Sequence, residues 1–217
     1  MSAKSKIIVA LDVNDLGKAK KLVKLLYPKI KFFKIGLEFI NTGKAPELIS
    51  FIKNLGGKVF YDIKLNDIPN TVGRSVKVIS KLGVWGFTIH ASSGREAIQA
   101  ARANKGKAKL IGVTVLTSID TQKNKIVGLA QMLAEEKADG VVCSVNEAVL
   151  LKRNFPKLKV ITPGIRPSWA ETNDQKRLAI PRDAIKAGSD YLVIGRPITG
   201  SSEPLKALEL IRGEIKR

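Results

Sequence analysis

The sequence predicts an α/β protein in which residues 1–217 form one barrel domain. Eight short apolar runs recur along the chain with amphipathic stretches between them, and this pair repeats at roughly 20–30 residues, the span of a βα unit. Most of the runs are continuously apolar, as in strands buried on both faces, so we expect parallel strands. Eight such units predict a closed (β/α)8 barrel, the TIM-barrel architecture.

The predicted strands are the apolar runs themselves. In chain order they are KIIVALDV (6–13), KFFKIG (31–36), KVFYDI (58–63), VWGFTIHA (84–91), KLIGVTVL (109–116), DGVVCS (139–144), LKVITPG (158–164) and SDYLVIG (189–195). The alternative is a doubly wound open sheet. However, no GxGxxG motif follows the first strand, and eight units favour closure.

The predicted helices lie between these strands. In DLGKAKKLVKLL (15–26), Lys18 and Lys21 occupy one face and the leucines and the valine the other. The further helical stretches are APELISFIKNLG, TVGRSVKVISKLG, GREAIQAARANKG, IVGLAQMLAEEKA and NEAVLLKRNF. Several of them end at glycine, as helix C-termini often do.

The formal charge of +19 favours anionic partners, so a nucleic-acid-binding barrel is one alternative. However, the lysines are spread over nearly every predicted helix, without an arginine-rich tract or a nucleic-acid motif. We therefore expect a solvated basic surface, anionic small-molecule substrates and no nucleic-acid partner.

The remaining composition argues against other classes of protein. One His and one Cys make a zinc site of the usual kind improbable, and Cys143 is predicted to be a buried apolar residue. No segment reaches the roughly 18 apolar residues of a membrane span, so we expect a cytoplasmic protein without a membrane partner.

Charged residues interrupt the end of the third predicted strand, where KVFY continues into DIKLNDIPNT (62–71). A (β/α)8 barrel places its chemistry at these carboxyl ends. Asp62 and Lys64 are two residues apart on a strand and so point to the same side, while Lys34 ends the neighbouring strand. Flanking lysines keep a buried aspartate ionised, which favours a catalytic cluster. A salt-bridge network without chemistry is the alternative.

Two glycine-containing loops follow the last two strands, PGIR (163–166) and GRPIT (195–199). These loops are the common phosphate site of this fold, because glycine exposes backbone N–H groups and arginine binds phosphate with two parallel hydrogen bonds. Arg166 and Arg196 are the candidates. The connection RPSWAETNDQKRLAIP (166–181) is the longest at a strand end and predicts a lid that carries Gln175, with a disordered loop as the alternative.

Several of these stretches carry a resemblance to a known family. They are ALDV (10–13), FKIG (33–36), DIKLNDIPNT (62–71), HASSG (90–94), VLTS (115–118), TPGIR (162–166) with DQKR (174–177), and SDYLVIGRPIT (189–199). Together, essentially from end to end, they resemble the orotidine 5′-phosphate decarboxylase family. The DxKxxD pattern is shared with sibling phosphosugar decarboxylases and aldolase-like synthases, whereas IPNT and TPGIR…DQKR are more specific.

The resemblance implies a carboxy-lyase that converts orotidine 5′-monophosphate to UMP and CO2 in de novo pyrimidine biosynthesis, with no metal or organic cofactor. Its catalytic array would be Lys34, Asp62, Lys64 and Asp67, the last from the partner in a homodimer with shared sites. Lys64 would stabilise and then protonate a C6 carbanion. Sibling enzymes that act on keto-sugar phosphates with Mg²⁺ carry an acidic metal ligand at the position of Lys34, where a cation would repel the metal.

The resemblance also implies a set of substrate-binding residues. They are Asp12, Lys34, Thr71, Ser118, Arg166, Gln175, Gly195 and Arg196. Asp12 and Lys34 would hold the ribose hydroxyls, and Ser118 the pyrimidine edge. Thr71 would reach the ribose across the dimer interface, and the last four residues would serve the phosphate and the lid. Asn66 departs from the family pattern, because many members have His there.

Overall fold

A computed structural model describes residues 6–116, 122–170 and 179–216. Its strands are β1 (Ile7–Ala10), β2 (Phe32–Gly36), β3 (Lys58–Leu65), β4 (Gly86–His90), β5 (Lys109–Val113), β6 (Gly140–Val142), β7 (Lys159–Thr162) and β8 (Tyr191–Ile194). Each strand pairs in parallel with the next, and β8 pairs with β1, so the sheet closes on itself. The predicted (β/α)8 barrel is confirmed, and the doubly wound alternative is wrong.

Helices surround this barrel. Within the described ranges they are α1 (Leu16–Leu26), α2 (Leu37–Ile40), α3 (Ala45–Asn54), α4 (Pro69–Lys81), α5 (Arg95–Asn104), α6 (Lys123–Glu135), α7 (Val145–Asn154), α8 (Pro181–Lys186), α9 (Arg196–Thr199) and α10 (Pro204–Lys216). The six predicted helical stretches correspond to α1 and to α3 through α7. Among the helices described, none has the length and apolar character needed to cross a membrane.

The strands are continuously apolar because both of their faces are buried. In β1, Ile7 and Val9 pack in the layer between the strands and the helices. Ile8 and Ala10, which alternate with them, pack inside the barrel with Phe60. This arrangement explains why a period of two is absent from the sequence of such strands. Cys143 is fully buried in the outer layer, as predicted, and burial raises the pKa of its thiol.

Aromatic side chains close the amino end of the barrel. Phe32 begins β2 and Tyr191 begins β8, and their ring centroids are 5.4 Å apart. Trp85 lies 5.1 Å from Phe32 and 5.2 Å from Tyr191, in edge-to-face arrangements that aromatic pairs prefer. The interior is therefore packed at this end, and the polar groups discussed below lie at the carboxyl ends of the strands.

We expect Phe32→Ala to lower the free energy of unfolding by about 3–5 kcal/mol, because the change opens a cavity beneath two aromatic rings. Urea denaturation followed by circular dichroism measures this loss. Leu25→Ala is the control, since Leu25 is 44% exposed and its loss should be about 0.5 kcal/mol or less. Equal, small losses in the two variants would contradict the packing role of Phe32.

Candidate active site

Four charged side chains form a continuous row at the carboxyl ends of β1, β2 and β3. The Lys34 Nζ atom lies 2.8 Å from Asp12 Oδ1 and 3.8 Å from Asp62 Oδ2. The Lys64 Nζ atom lies 2.8 Å from the same Asp62 oxygen. Carboxylate and ammonium groups thus alternate along the row, and each charge has a neighbour of opposite sign.

The middle of this row is the most buried part. The side chains of Lys34 and Asp62 are each 12% exposed, whereas that of Asp12 is 48% exposed. Removing one member of a buried pair leaves its partner as an uncompensated charge, which is strongly destabilising. The row is therefore a mutually dependent unit whose centre is Asp62.

Gly36 leaves room for the Lys34 ammonium group. A Cβ atom at this position would lie 2.7 Å from Lys34 Nζ, closer than unbonded atoms approach. Any larger residue would displace the ammonium group from its place between Asp12 and Asp62. The FKIG stretch therefore contributes both the cation and the space that it occupies.

The end of β3 departs from regular strand geometry. Tyr61 pairs with Phe87 and Leu65 pairs with Ile89, so an advance of four residues along β3 corresponds to an advance of two residues along β4. Within this irregularity Lys64 has φ of 52°, a left-handed conformation that costs a residue with a side chain about 1–3 kcal/mol. The prediction that Asp62 and Lys64 point together is correct in outcome, but regular alternation is not the reason.

Thr88, in the middle of β4, is a site residue that sequence reasoning missed. Its Oγ1 donates to Asp62 Oδ1 at 3.0 Å and accepts from the Lys64 backbone N–H at 2.8 Å. The signal in the sequence was slight, a single hydroxyl inside the apolar run GFTIH. Its partners became evident only when the paired strands were in place.

His90 lies at the end of β4, within the HASSG stretch, and was not among the candidate site residues. Burial lowers the pKa of its imidazole, and the positive charge of Lys64 lowers it further, while the negative charge of Asp62 acts in the opposite direction. The pKa of His90 therefore depends on the charges of both Lys64 and Asp62.

A cavity of about 260 Å³ opens onto the row of charges. Seven of the predicted site residues line it. They are Asp12, Lys34, Asp62, Lys64, Arg166, Gly195 and Arg196. The apolar part of the wall includes Val113, Leu116 and Val142, from β5, β6 and the segment after β5. The cavity thus offers a charged side and an apolar side to a ligand.

The loops after β7 and β8 supply the remaining polar wall. Gly164 has φ of 74°, a conformation that favours glycine, and the following Ile165 pairs with Ala179. The Arg166 backbone N–H donates to the Ala179 carbonyl at 3.0 Å, and the side chain of Arg166 is buried. Arg196 is exposed and begins α9. The two arginines therefore approach the cavity from different loops.

Four of the predicted site residues are not placed with this group. Asp67 and Thr71 are exposed and are not among the described residues that line the cavity. An Asp67 carboxylate oxygen accepts from the Ile68 backbone N–H at 2.7 Å. Ser118 and Gln175 lie outside the described residues.

A closed parallel barrel with alternating lysines and aspartates at the carboxyl ends, and with arginine-bearing loops that line the same cavity, defines a class of protein, the (β/α)8-barrel enzymes. The chain matches the family model described as "Orotidine 5'-phosphate decarboxylase / HUMPS family" over residues 5–211. The chain therefore belongs to this family, and it is a carboxy-lyase, as the names of the relatives described next indicate. The resemblance inferred from the sequence motifs is confirmed.

Two relatives and one solved structure illustrate the similarity. The chain is 43% identical to an orotidine 5′-phosphate decarboxylase of Saccharophagus degradans, with 97% of this chain and 95% of the relative covered. Identity to the Moorella thermoacetica enzyme of the same name is 40%, with coverage of 100% and 94%. The crystal structure of the Lactobacillus acidophilus enzyme of that name superposes with a TM-score of 0.85 at 32% identity, covering 98% of this chain and 100% of that one.

We expect the imidazole of His90 to titrate with a pKa below its ordinary value of 6.5. Lys64→Ala should raise this pKa by removing a nearby cation, and Asp62→Asn should lower it further by removing an anion. NMR titration measures it directly, because the chain contains one histidine.

The control is Lys21→Ala, which removes an exposed charge on α1 and should leave the His90 pKa unchanged. Because folding lowers this pKa, the contribution of His90 to stability is complete above about pH 6.5 and declines as the pH falls below that value. Shifts of the same sign in Lys64→Ala and Asp62→Asn would contradict the arrangement of charges.

Proposed function

We propose that this chain decarboxylates orotidine 5′-phosphate to UMP and CO2, as a step of de novo pyrimidine biosynthesis. The observation that carries the proposal is the alternating row Asp12–Lys34–Asp62–Lys64 in a cavity that Arg166 and Arg196 also line. The names of the relatives described above support the same substrate.

The reaction breaks the bond between C6 of the pyrimidine and its carboxylate carbon. CO2 leaves, and the electron pair remains on C6 in the plane of the ring, where the π system cannot delocalise it. Stabilisation of this carbanion must then come from charges that are already in place. The Lys64 ammonium group is such a charge, and it donates a proton to C6 to complete UMP. Water afterwards returns a proton to Lys64.

Asp62 contributes by its position beside Lys64. Its Oδ2 atom lies 2.8 Å from Lys64 Nζ, so a substrate carboxylate directed at the same ammonium group is brought close to a second negative charge. Loss of CO2 removes this repulsion. Lys34 holds Asp62 from the other side and joins it to Asp12. We assign the ribose hydroxyls to Asp12 and Lys34.

The phosphate lies far from the reacting carbon in our assignment, at Arg166, Gly195 and Arg196. Binding energy gained there can close a lid and assemble the site around C6, which raises the rate rather than only the affinity. Ser118 and Gln175 are assigned to the pyrimidine edge and to the lid, on the basis of the family resemblance.

We propose that the reaction requires no metal or organic cofactor. Both carboxylates that line the described part of the cavity, Asp12 and Asp62, already contact an ammonium group. A metal ion would have to displace a lysine to gain either ligand. The positive charge of Lys34, at the position where metal-dependent sibling enzymes carry an acidic ligand, opposes that displacement.

We further propose a homodimer in which Asp67 and Thr71 complete the partner's site. Both residues are exposed and lie just before or within α4. The neighbouring apolar side chains Ile68 and Val78 are 65% and 63% exposed. Exposed apolar side chains beside exposed polar ones are typical of a surface that is covered in an assembly.

Lys64→Ala should lower kcat by about 10³-fold or more, since the change removes both the cation that faces the carbanion and the proton donor. The assay follows loss of orotidine 5′-monophosphate absorbance and formation of UMP, with EDTA present. Lys21→Ala is the control for a lost surface charge. A variant that keeps more than about a tenth of the wild-type kcat, equivalent to about 1.4 kcal/mol, would refute the role of Lys64. Wild-type activity that EDTA abolishes would refute the cofactor-free reaction.

A mixing experiment tests the shared site. Lys64→Ala and Asp67→Ala chains, each inactive alone, are unfolded together and refolded. In a mixed dimer one site then combines an intact Lys64 with an intact Asp67 from its partner. With random pairing about half of the dimers are mixed, so the mixture should regain about a quarter of wild-type activity if the dimer is a closed two-fold one. If confirmed mixed dimers are inactive, Asp67 serves its own chain.

A further inference from the structure

Thr88 connects the two central groups of the proposed reaction. Its side chain is fully buried, and it is not among the described residues that line the cavity. We propose that Thr88 is a positioning residue whose single hydroxyl sets both the rotation of the Asp62 carboxylate and the backbone conformation of Lys64. The inference deepens the proposed function and rests on it for the roles of Asp62 and Lys64.

The direction of both hydrogen bonds follows from the chemistry of the groups. A backbone N–H can only donate, so Thr88 Oγ1 accepts from Lys64 at 2.8 Å. The one proton of the hydroxyl is then free for Asp62 Oδ1, 3.0 Å away, because a carboxylate can only accept. The hydroxyl of Thr88 therefore accepts from the Lys64 backbone and donates to the Asp62 carboxylate, and these two roles cannot be exchanged.

This arrangement divides the two oxygens of Asp62 between different partners. Oδ1 accepts from Thr88, and Oδ2 faces the ammonium groups of Lys64 and Lys34. Rotation of the carboxylate would exchange these contacts and is opposed from both sides. Without the hydroxyl, Oδ1 would be a buried acceptor lacking this donor, and the carboxylate would turn toward the remaining donors.

The backbone of Lys64 depends on the same hydroxyl. Pairing between β3 and β4 is irregular from Tyr61 to Leu65, and within this interval the Lys64 N–H bonds to a side chain of β4. A left-handed conformation at a residue other than glycine persists only where its surroundings hold it. The Thr88 hydroxyl is one such restraint, and its loss would let the Lys64 backbone relax and carry Nζ with it.

The contacts form a closed ring. The Lys64 N–H donates to Thr88, Thr88 donates to Asp62, and Asp62 accepts from the Lys64 ammonium group at 2.8 Å. Lys64 thus belongs to the ring through both its backbone N–H and its side-chain ammonium group. A displacement at Thr88 therefore moves the proton donor and the carboxylate together.

Thr88→Val tests this inference, because valine keeps the shape of threonine and lacks the hydroxyl. We expect kcat to fall about a hundredfold, as for a catalytic group displaced by about 1 Å. KM should change less than about threefold, because Thr88 is not among the described residues that line the cavity. Thr88→Ser retains the hydroxyl and should retain most of the activity. Unchanged kcat in Thr88→Val, or equal losses in the valine and serine variants, would overturn the proposal.

Thr162→Val is the matched control. Thr162 is likewise fully buried at a strand position, and its Oγ1 lies 2.7 Å from Ser189 Oγ. The substitution also removes a buried hydroxyl, but this hydroxyl bonds to neither Asp62 nor Lys64. It should reduce stability about as much as Thr88→Val while leaving kcat unchanged. A similar fall in kcat would mean that general loosening of the barrel, and not positioning, explains the Thr88 result.

A second measurement does not depend on turnover. Hydrogen exchange of the Lys64 amide, followed by NMR, should be faster in Thr88→Val than in wild type and Thr88→Ser. If the wild-type chain does not decarboxylate orotidine 5′-phosphate, the proposed function fails, yet amide exchange still decides whether Thr88 holds Lys64. Unchanged exchange would overturn the inference. If Thr88→Val does not fold, Thr88→Cys replaces it, since a thiol is a weak donor and acceptor.

Discussion

The buried Asp62 carboxylate is the group on which the rest of the site depends. The Asp62 side chain is 12% exposed and has three partners from three strands, Lys34, Lys64 and Thr88. A buried carboxylate without such partners would be strongly unfavourable. The ends of β2, β3 and β4 must therefore be held at fixed separations, and neighbouring parallel strands provide this constraint.

The barrel tolerates the unfavourable energy of this site because the stability of the fold arises from packing elsewhere. Apolar side chains fill both the interior and the layer beneath the helices, and an aromatic cluster of Phe32, Trp85 and Tyr191 packs the amino end. The left-handed backbone of Lys64 and the buried charges lie at the opposite end. Packing at one end and unfavourable local geometry at the other is the arrangement expected when function requires strain.

The charges of the cavity are consistent with the basic composition of the chain. Lys34, Lys64, Arg166 and Arg196 line its described part together with two carboxylates, Asp12 and Asp62. The cavity therefore carries more positive than negative groups, as does the whole chain at +19. Such a field attracts anionic ligands over long distances, and in the proposed function the alternating row orients the substrate at short range.

The fold could be predicted from the sequence, because continuous apolar runs mark buried strands and amphipathic stretches mark helices with one buried face. It also placed Asp12, Lys34, Asp62 and Lys64 at strand ends, which closure of the barrel brings together. Three features could not be predicted in this way: the different partners of the two Asp62 oxygens, the left-handed backbone of Lys64, and the hydrogen bonds of Thr88 to both residues. These features depend on the irregular register between β3 and β4. Such an irregularity arises from the pairing of two strands, so the sequence of neither strand shows a periodic pattern that predicts it.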